Sequence, residues 1–334
     1  MDDVQHMRRA MALAATVRGS TAPNPWVGSV VFPPAHASEV ATFFEGATAP
    51  PGGPHAEVTA LAQAGEAARG ATLYVTLEPC AHHGRTPPCT DAIIGAGVAR
   101  VVIGIQDPDS RVSGRGIAAL RAAGIEVTEG VAADEIAEQL APYIKHRRTG
   151  HPWVVLKMAA SLDGRTAAPD GSSRWITGEA ARRDVHRLRE SSDAVLVGAG
   201  TVRADDPELT VRLDDETAGD DEQPLRVVLG TAPEGAKVRP ALELEGDLDG
   251  VLGELGKRGV LQLLVEGGAT VAHDFHAAGL VDRYVLYLAP ALFGGDDGRP
   301  IFAGPGAGTI ADVWRGRLVS VEQLGDDLRV EVAA

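Results

Sequence analysis

Three short segments hold the residues able to do hydrolytic chemistry: Pro54-His55-Ala56-Glu57, Glu78-Pro79-Cys80 and Pro87-Pro88-Cys89. One imidazole and two thiolates make a three-ligand set for a tetrahedral zinc, which keeps a fourth corner for water. Zinc brings the pKa of such a water toward about 7, so a strong nucleophile exists at neutral pH. Glu57 follows His55 by two residues in the same first helical turn. From there it reaches the water without displacing a ligand, takes its proton and passes it to a leaving amino group. The pattern H-x-E followed by P-C is that of zinc deaminases, with one departure. Eight residues, AHHGRTPP, separate Cys80 from Cys89 where the signature has two. Each cysteine follows a proline suited to a helix start, where free N–H groups and the helix dipole favour a thiolate. The competing reading is a structural zinc with His82 or His83 as fourth ligand, which leaves Glu57 without a purpose.

Elements that could position these groups follow from the hydrophobic periodicity. Val4, Met7, Met11, Leu13, Ala14 and Val17 predict a helix over 3–18. VGSVVF (27–32) predicts a buried strand, and residues 33–54 a Pro/Gly-rich loop broken by a weak strand near VATFF (40–44). A helix over 55–64 opens after Pro54. ATLYVTLEP (71–79) alternates as a strand and delivers Cys80 at its end. A helix near 88–96, a strand over 98–106, a helix over 114–123 and the strand IEVTEG complete this half. HRRTGHP (146–152) is polar and contains Gly and Pro, which places a boundary between domains of 1–147 and 152–334. Beyond it come the strand WVVLKMA, a helix over 179–190, DAVLVGAG, LRVVLG, a helix over 249–257, LQLLVEGG, a helix over 269–278 and DRYVLYLAP. The end reads as an antiparallel hairpin turning at Gly325-Asp326. Strands alternating with helices indicate an α/β protein.

Composition narrows the function. Two domains are the natural division of 334 residues. A net charge of −15 argues against an extended nucleic-acid footprint, which needs a basic face. It leaves room for a small anionic substrate held by a few arginines. No stretch approaches the ~20 apolar residues of a membrane span, and the N-terminus lacks signal-peptide order, so a cytoplasmic protein is expected. With only two cysteines, both beside prolines and near histidines, metal ligation is favoured over a disulfide. The acidic stretch LDDETAGDDEQP (213–224) reads as a solvated surface insertion.

The run TLEPCAHHGRTPPCTDAI, preceded by PHAEVTAL and NPWVG, resembles the bifunctional riboflavin-biosynthesis deaminase/reductase family. The second half is similar too, through KMAASLDGRTA, SSRWITGEAARRDVHRLR, SDAVLVGAGTVRADDPELTVR, LLVEGGAT and LAPALFGG. The resemblance covers nearly the whole chain. It implies a cytidine-deaminase-like three-layer α/β/α domain followed by a dihydrofolate-reductase-like α/β domain. It implies zinc-dependent deamination of 2,5-diamino-6-ribosylamino-4(3H)-pyrimidinone 5′-phosphate, then NADPH-dependent reduction of the ribosyl side chain to ribityl, in a homo-oligomer (dimer or tetramer).

Carried over by position, His55, Cys80 and Cys89 match the zinc ligands, Glu57 the proton shuttle, and Asn24, His82 and Arg85 the deaminase substrate contacts. Ser173, Arg189, Leu209, Arg212 and Glu266 match reductase substrate positions, with Arg189 and Arg212 as phosphate clamps. Ala159, Trp175, Thr201, Asp205, Gly267 and Gly268 match nucleotide positions. Asp163 matches an acid of the family that could equally cap a turn. Three departures stand out. Thr48 occupies a position where many members carry a histidine, Trp26 replaces a smaller or polar residue, and residues 231–250 are short. The last keeps open a monofunctional deaminase with a degraded reductase half. A nucleic-acid-editing deaminase and a non-catalytic nucleotide-binding module are the remaining alternatives.

Overall fold

The structure is a computed structural model that describes residues 2–34, 43–84, 87–109, 112–213, 216–217, 219 and 223–334. The chain divides into two compact units, one ending at Gly150 and one beginning at His151.

The first unit contains α1 (Asp3–Ala15), β1 (Gly28–Phe32), β2 (Phe44–Ala47), α2 (Ala56–Ala64), β3 (Thr72–Leu77), α3 (Cys89–Ala96), β4 (Arg100–Ile105), α4 (Arg115–Ala122), β5 (Glu126–Glu129), α5 (Ala133–Gln139) and α6 (Ala141–Thr149). Asp2 and Gln5 form a reciprocal capping box that starts α1. The sheet runs β2-β1-β3-β4-β5, with β1 antiparallel to both neighbours and β3, β4 and β5 parallel. Val30, Leu73, Val75, Val101 and Ile103 are fully buried in it. α1 packs on β1 and β3, and α2 on β2 and β1. Gly46 permits that last contact, because a Cβ there would lie 2.2 Å from the carbonyl oxygen of Ala56. The first turn of α2 is thereby pressed onto the sheet.

The second unit contains β6 (Trp153–Ser161), β7 (Arg165–Ala167), α7 (Glu179–Glu190), β8 (Ala194–Gly198), α8 (Ala199–Asp205), β9 (Arg212–Leu213), β10 (Glu216–Thr217), β11 (Leu225–Leu229), β12 (Leu242–Leu244), α9 (Leu248–Lys257), β13 (Gln262–Val265), α10 (Ala269–Ala277), β14 (Arg283–Ala289), β15 (Arg299–Pro300), β16 (Arg317–Leu324) and β17 (Asp327–Ala333). Eight strands order as β12-β11-β8-β13-β6-β14-β17-β16. β12 through β14 are parallel, and β17 and β16 extend the sheet antiparallel. The central strands β8 and β13 are buried along their whole length, as parallel strands covered on both faces must be. One apolar cluster lies around Leu252, Leu263 and Phe275, the other around Val195, Leu264 and Tyr287.

Several expectations shift. The polar HRRT of the anticipated linker is the end of α6, which runs to Thr149 and stops at Gly150 with φ 77°. Neither α5 nor α6 was legible, because seven- and nine-residue polar helices carry too few apolar repeats. The strand expected over DAVLVGAG stops at Gly198, and residues 199–205 form α8. The weak strand lies at Phe44–Ala47, and residues 40–42 are outside the described residues. Within the short 231–250 segment, β12 has three residues, yet it completes the edge of the sheet.

Candidate active sites

His55 is the N-cap of α2, Cys80 follows β3, and Cys89 is the first residue of α3. The sheet and the two helices bring them together: His55 Nδ1 lies 3.1 Å from Cys89 Sγ and 3.6 Å from Cys80 Sγ. The three ligand atoms all lie within 4.8 Å of one another. A tetrahedral zinc with nitrogen at about 2.0 Å and sulfur at about 2.3 Å needs N···S separations of roughly 3.5 Å, so the donor set fits that ion. Among the described residues no fourth ligand joins the group, and His82 and His83 are exposed. This weighs against the structural-zinc reading.

Only Cys89 opens a helix. Cys80 sits in the irregular segment after β3, so the expectation of two helix-start cysteines is corrected. The dipole argument still reaches Cys80, because the Cys89 N–H donates to its sulfur at 3.3 Å. Hydrogen bonding with Cys89, then with His55, holds the Cys80 thiol well below its usual range, while the hydrogen bond to Cys80, then burial, pushes Cys89 up. Glu57 is buried in the first turn of α2. Burial is the main cause that raises its carboxyl above the usual range, which suits a group that must hold a proton part of the time.

Of the expected substrate contacts, Asn24 is half-buried in the turn closed by its N–H to Thr21 O, and His82 is exposed. Arg85 lies outside the described residues. Thr48 is buried, and its hydroxyl accepts the Val27 N–H at 3.0 Å, which ties the end of β2 to the start of β1. Trp26 is buried, with the Arg18 guanidinium 5.2 Å from its ring centroid.

In the second unit two clefts of ≈ 1120 and ≈ 870 Å³ open at the carboxyl ends of the parallel strands. Open α/β sheets bind ligands at such ends. The larger cleft is lined by Thr201, Glu266, Gly267 and Gly268, with Gly268 the N-cap of α10. The smaller is lined by Trp175, Arg189, Leu209 and Arg212. Ala159, Ser173 and Asp205 line both, so the two clefts meet at β6. Trp175 was expected with the nucleotide residues, but it stands in the smaller cleft, 69% exposed, with Arg182 4.7 Å from its ring centroid. Leu209 adopts φ 56°, a left-handed backbone unusual for a branched side chain and costing on the order of 1–3 kcal/mol.

Arg189, expected as a phosphate clamp, is ion-paired with Glu266. Its Nε and Nη2 donate to Glu266 at 2.6 and 3.1 Å, and its Nη1 donates to Thr210 O at 2.9 Å. Arg212 is exposed and pairs with Glu208 at 3.1 Å. Burial alone would raise the Glu266 carboxyl, but the charges of Arg189 and Lys157 outweigh it and hold it at about 2. Asp163 holds the loop after β14 by accepting the N–H groups of Phe293 and Gly294. It acts as a loop anchor.

Residues 152–330 match the RibD C-terminal domain, and residues 1–105 match the cytidine and deoxycytidylate deaminase zinc-binding region. The riboflavin biosynthesis protein RibD of Escherichia coli K12 is 41% identical, over 98% of each chain. RibD of Acinetobacter baumannii has a solved structure that superposes with a TM-score of 0.90 at 40% identity, covering 99% of this chain and 98% of its own. The Thermotoga maritima diaminohydroxyphosphoribosylaminopyrimidine deaminase/5-amino-6-(5-phosphoribosylamino)uracil reductase does so at 0.86 and 36% identity, with the same coverage. The chain belongs to the RibD family.

As a RibD-family member it is a bifunctional deaminase/reductase. The alternative of a degraded reductase half is overturned by the match across 152–330 and the complete eight-stranded sheet. The cleft residue most clearly missed from the sequence is Lys157, which lines both clefts and lies 3.5 Å from Glu266. Its signal was present as a lone charge within the apolar strand WVVLKMAAS.

Proposed function

We propose that residues 1–147 deaminate 2,5-diamino-6-ribosylamino-4(3H)-pyrimidinone 5′-phosphate and that residues 152–334 then reduce the ribosyl side chain of the product to ribityl. The observation that carries the first step is the convergence of His55, Cys80 and Cys89 beside buried Glu57. Zinc held by those three residues supplies the Lewis acidity that makes water nucleophilic at neutral pH. Glu57 takes the proton from the attacking water at its carboxylate and returns it to the departing amine. Its burial keeps the carboxyl basic enough for both transfers. Asn24, His82 and Arg85 orient the pyrimidine and its phosphate.

NADPH, when bound in the larger cleft, supplies the reducing equivalent for the second step. Thr201, Gly267 and Gly268 hold its phosphates, aided by the N-terminus of the nine-residue α10. Ala159 and Asp205 line both clefts, where they would contact cofactor and substrate together, and Trp175 lines the smaller one. Ser173, Leu209 and Arg212 hold the substrate in the smaller cleft, and Lys157, fixed by Glu266, which Arg189 holds in turn, presents a proton at its Nζ. Mass spectrometry of the product tests both halves. Without NADPH the substrate should exchange one amino group for oxygen, and adding NADPH should add two hydrogens. Cofactor-independent hydrogen gain, or no deamination by zinc-loaded enzyme, would overturn the assignment.

The same reading makes the protein a cytoplasmic homo-oligomer, a dimer or tetramer. No helix of the described residues is long and apolar enough to cross a membrane. Among the described residues β16 is an unpaired sheet edge, with Leu318 59% and Val321 53% exposed, following exposed Ile310 and Trp314. Such an edge invites pairing, and an antiparallel strand can pair with its own copy about a two-fold axis. Light scattering at micromolar concentration is expected to give at least twice the chain mass, and Val321→Lys to shift it toward one chain. A monomeric parent protein would refute this.

A further inference from the structure

Glu78 is a buried carboxylate that neither reaction uses. It is 4% exposed and has no cationic partner among the described residues. Four backbone N–H groups take the place of a cation. Oε2 accepts from Asp107 at 3.2 Å and Gly114 at 2.9 Å, and Oε1 accepts from Gly116 at 2.9 Å and Ile117 at 3.3 Å. Gly114 is the N-cap of α4 and offers no capping side chain of its own. Glu78 therefore caps that helix from a strand end 36 residues away in sequence. The arrangement suits a carboxylate, since a buried charge needs several donors and a helix N-terminus provides both donors and a favourable dipole.

The placement joins this cap to the metal centre. The Glu78 N–H extends the β3–β4 ladder by donating to Ile105 O at 3.0 Å. The next residue, Pro79, is wedged against the same helix start, because a Cβ on Gly116 would lie 2.0 Å from the Pro79 carbonyl oxygen. The residue after that is Cys80. On its other side, Cys80 O accepts from Thr90 N at 3.2 Å and its sulfur accepts from Cys89 N. Cys80 is thus bracketed by the starts of α4 and α3, and the α4 bracket depends on the Glu78 charge.

We propose that Glu78 is a positioning residue of the deaminase centre, fixing the Cys80 sulfur toward the metal by clamping the start of α4. This rests on the reading of His55, Cys80 and Cys89 as zinc ligands. In Glu78→Gln the charge is lost and an amide NH₂ is placed against backbone donors, so the backbone leading to Cys80 loosens. Gly116→Ala reaches the same point differently, leaving the carboxylate intact and pushing on Pro79.

The test uses zinc-loaded full-length enzyme. In both variants, zinc transfer to a chromogenic chelator should speed up at least tenfold. Deamination kcat per bound zinc should fall at least tenfold, with KM changed less than threefold. Reduction of pre-deaminated substrate should stay within twofold of the parent. Glu78→Asp keeps the charge with shorter reach and should recover part of both deaminase quantities. If Glu78→Gln and Gly116→Ala fold and release zinc at the parent rate with parent kcat, the proposal fails. If Glu78→Gln does not fold, parent-like values in Gly116→Ala alone overturn it. A parent enzyme that neither binds zinc nor deaminates would instead refute the reading of the site.

Discussion

Glu57→Gln is expected to lower deamination by about a thousandfold, with zinc retained. General acid–base groups contribute on the order of 10²–10⁴ in rate, and a thousandfold is about 4 kcal/mol of barrier. The amide matches the carboxylate in size and fits the same buried pocket at the first turn of α2. It cannot accept the water's proton, so the chemistry stops while the three ligands stay in place. Cys80→Ala should do the reverse: zinc is lost, and the first unit becomes easier to unfold because metal binding and folding are coupled. Zinc content by elemental analysis and ammonia release, measured side by side, separate the two outcomes. Reduction of pre-deaminated substrate should survive both changes. Substantial ammonia release by Glu57→Gln would end the role assigned to Glu57.

The second large effect is expected from Arg189→Met, which should destabilise the second unit by roughly 3–5 kcal/mol and abolish reduction. Glu266 is buried, and Arg189 donates to both of its carboxylate oxygens. Removing one partner of a buried pair costs this much because the other charge is left uncompensated. Lys157, at 3.5 Å, compensates only in part. The pH dependence gives a sharper check. In the parent, the Glu266 carboxyl at about 2 lies below its unfolded value of 4.5. The stability it contributes is therefore present above pH 4.5 and fades as the pH falls toward 2. Without Arg189, burial is expected to raise that carboxyl above its unfolded value. The contribution then reverses: stability is retained at acid pH and lost as the pH rises through the folded value. The double change Arg189→Met with Glu266→Gln should recover most of the loss. Thermal unfolding of the parent and both variants between pH 2 and 8 measures this, and an unchanged midpoint in Arg189→Met would show that the pair is not a stability determinant.

Much of the metal centre was legible before any coordinates, because its chemistry is local. His55 and Glu57 are two apart, and each cysteine is marked by an adjacent proline. Strand and helix positions were legible where apolar residues recur, as in β3 and α7. Regularity failed in α5, α6 and α8, which are short and carry few apolar repeats. The chemistry of long-range pairs was equally hidden. Nothing in the spacing of Lys157, Arg189 and Glu266 says that they meet, since they come from a strand, a helix end and a loop separated by as many as 109 residues. Arg189 therefore read as a free cation for phosphate, when its charge is already matched.

By itself, the sequence determined the α/β class, the candidate zinc ligands, the candidate general acid–base residue and, through its long cysteine spacing, the resemblance to deaminase/reductases. These follow from residue type and near-neighbour spacing, which a linear chain displays openly. Only the tertiary structure decided which charges are already neutralised, that Cys80 lies outside a helix, that the reductase clefts meet at Lys157, and that Glu78 caps a distant helix. Each of these depends on groups far apart in the chain converging in a buried environment, where partners and desolvation together set what a charge can do.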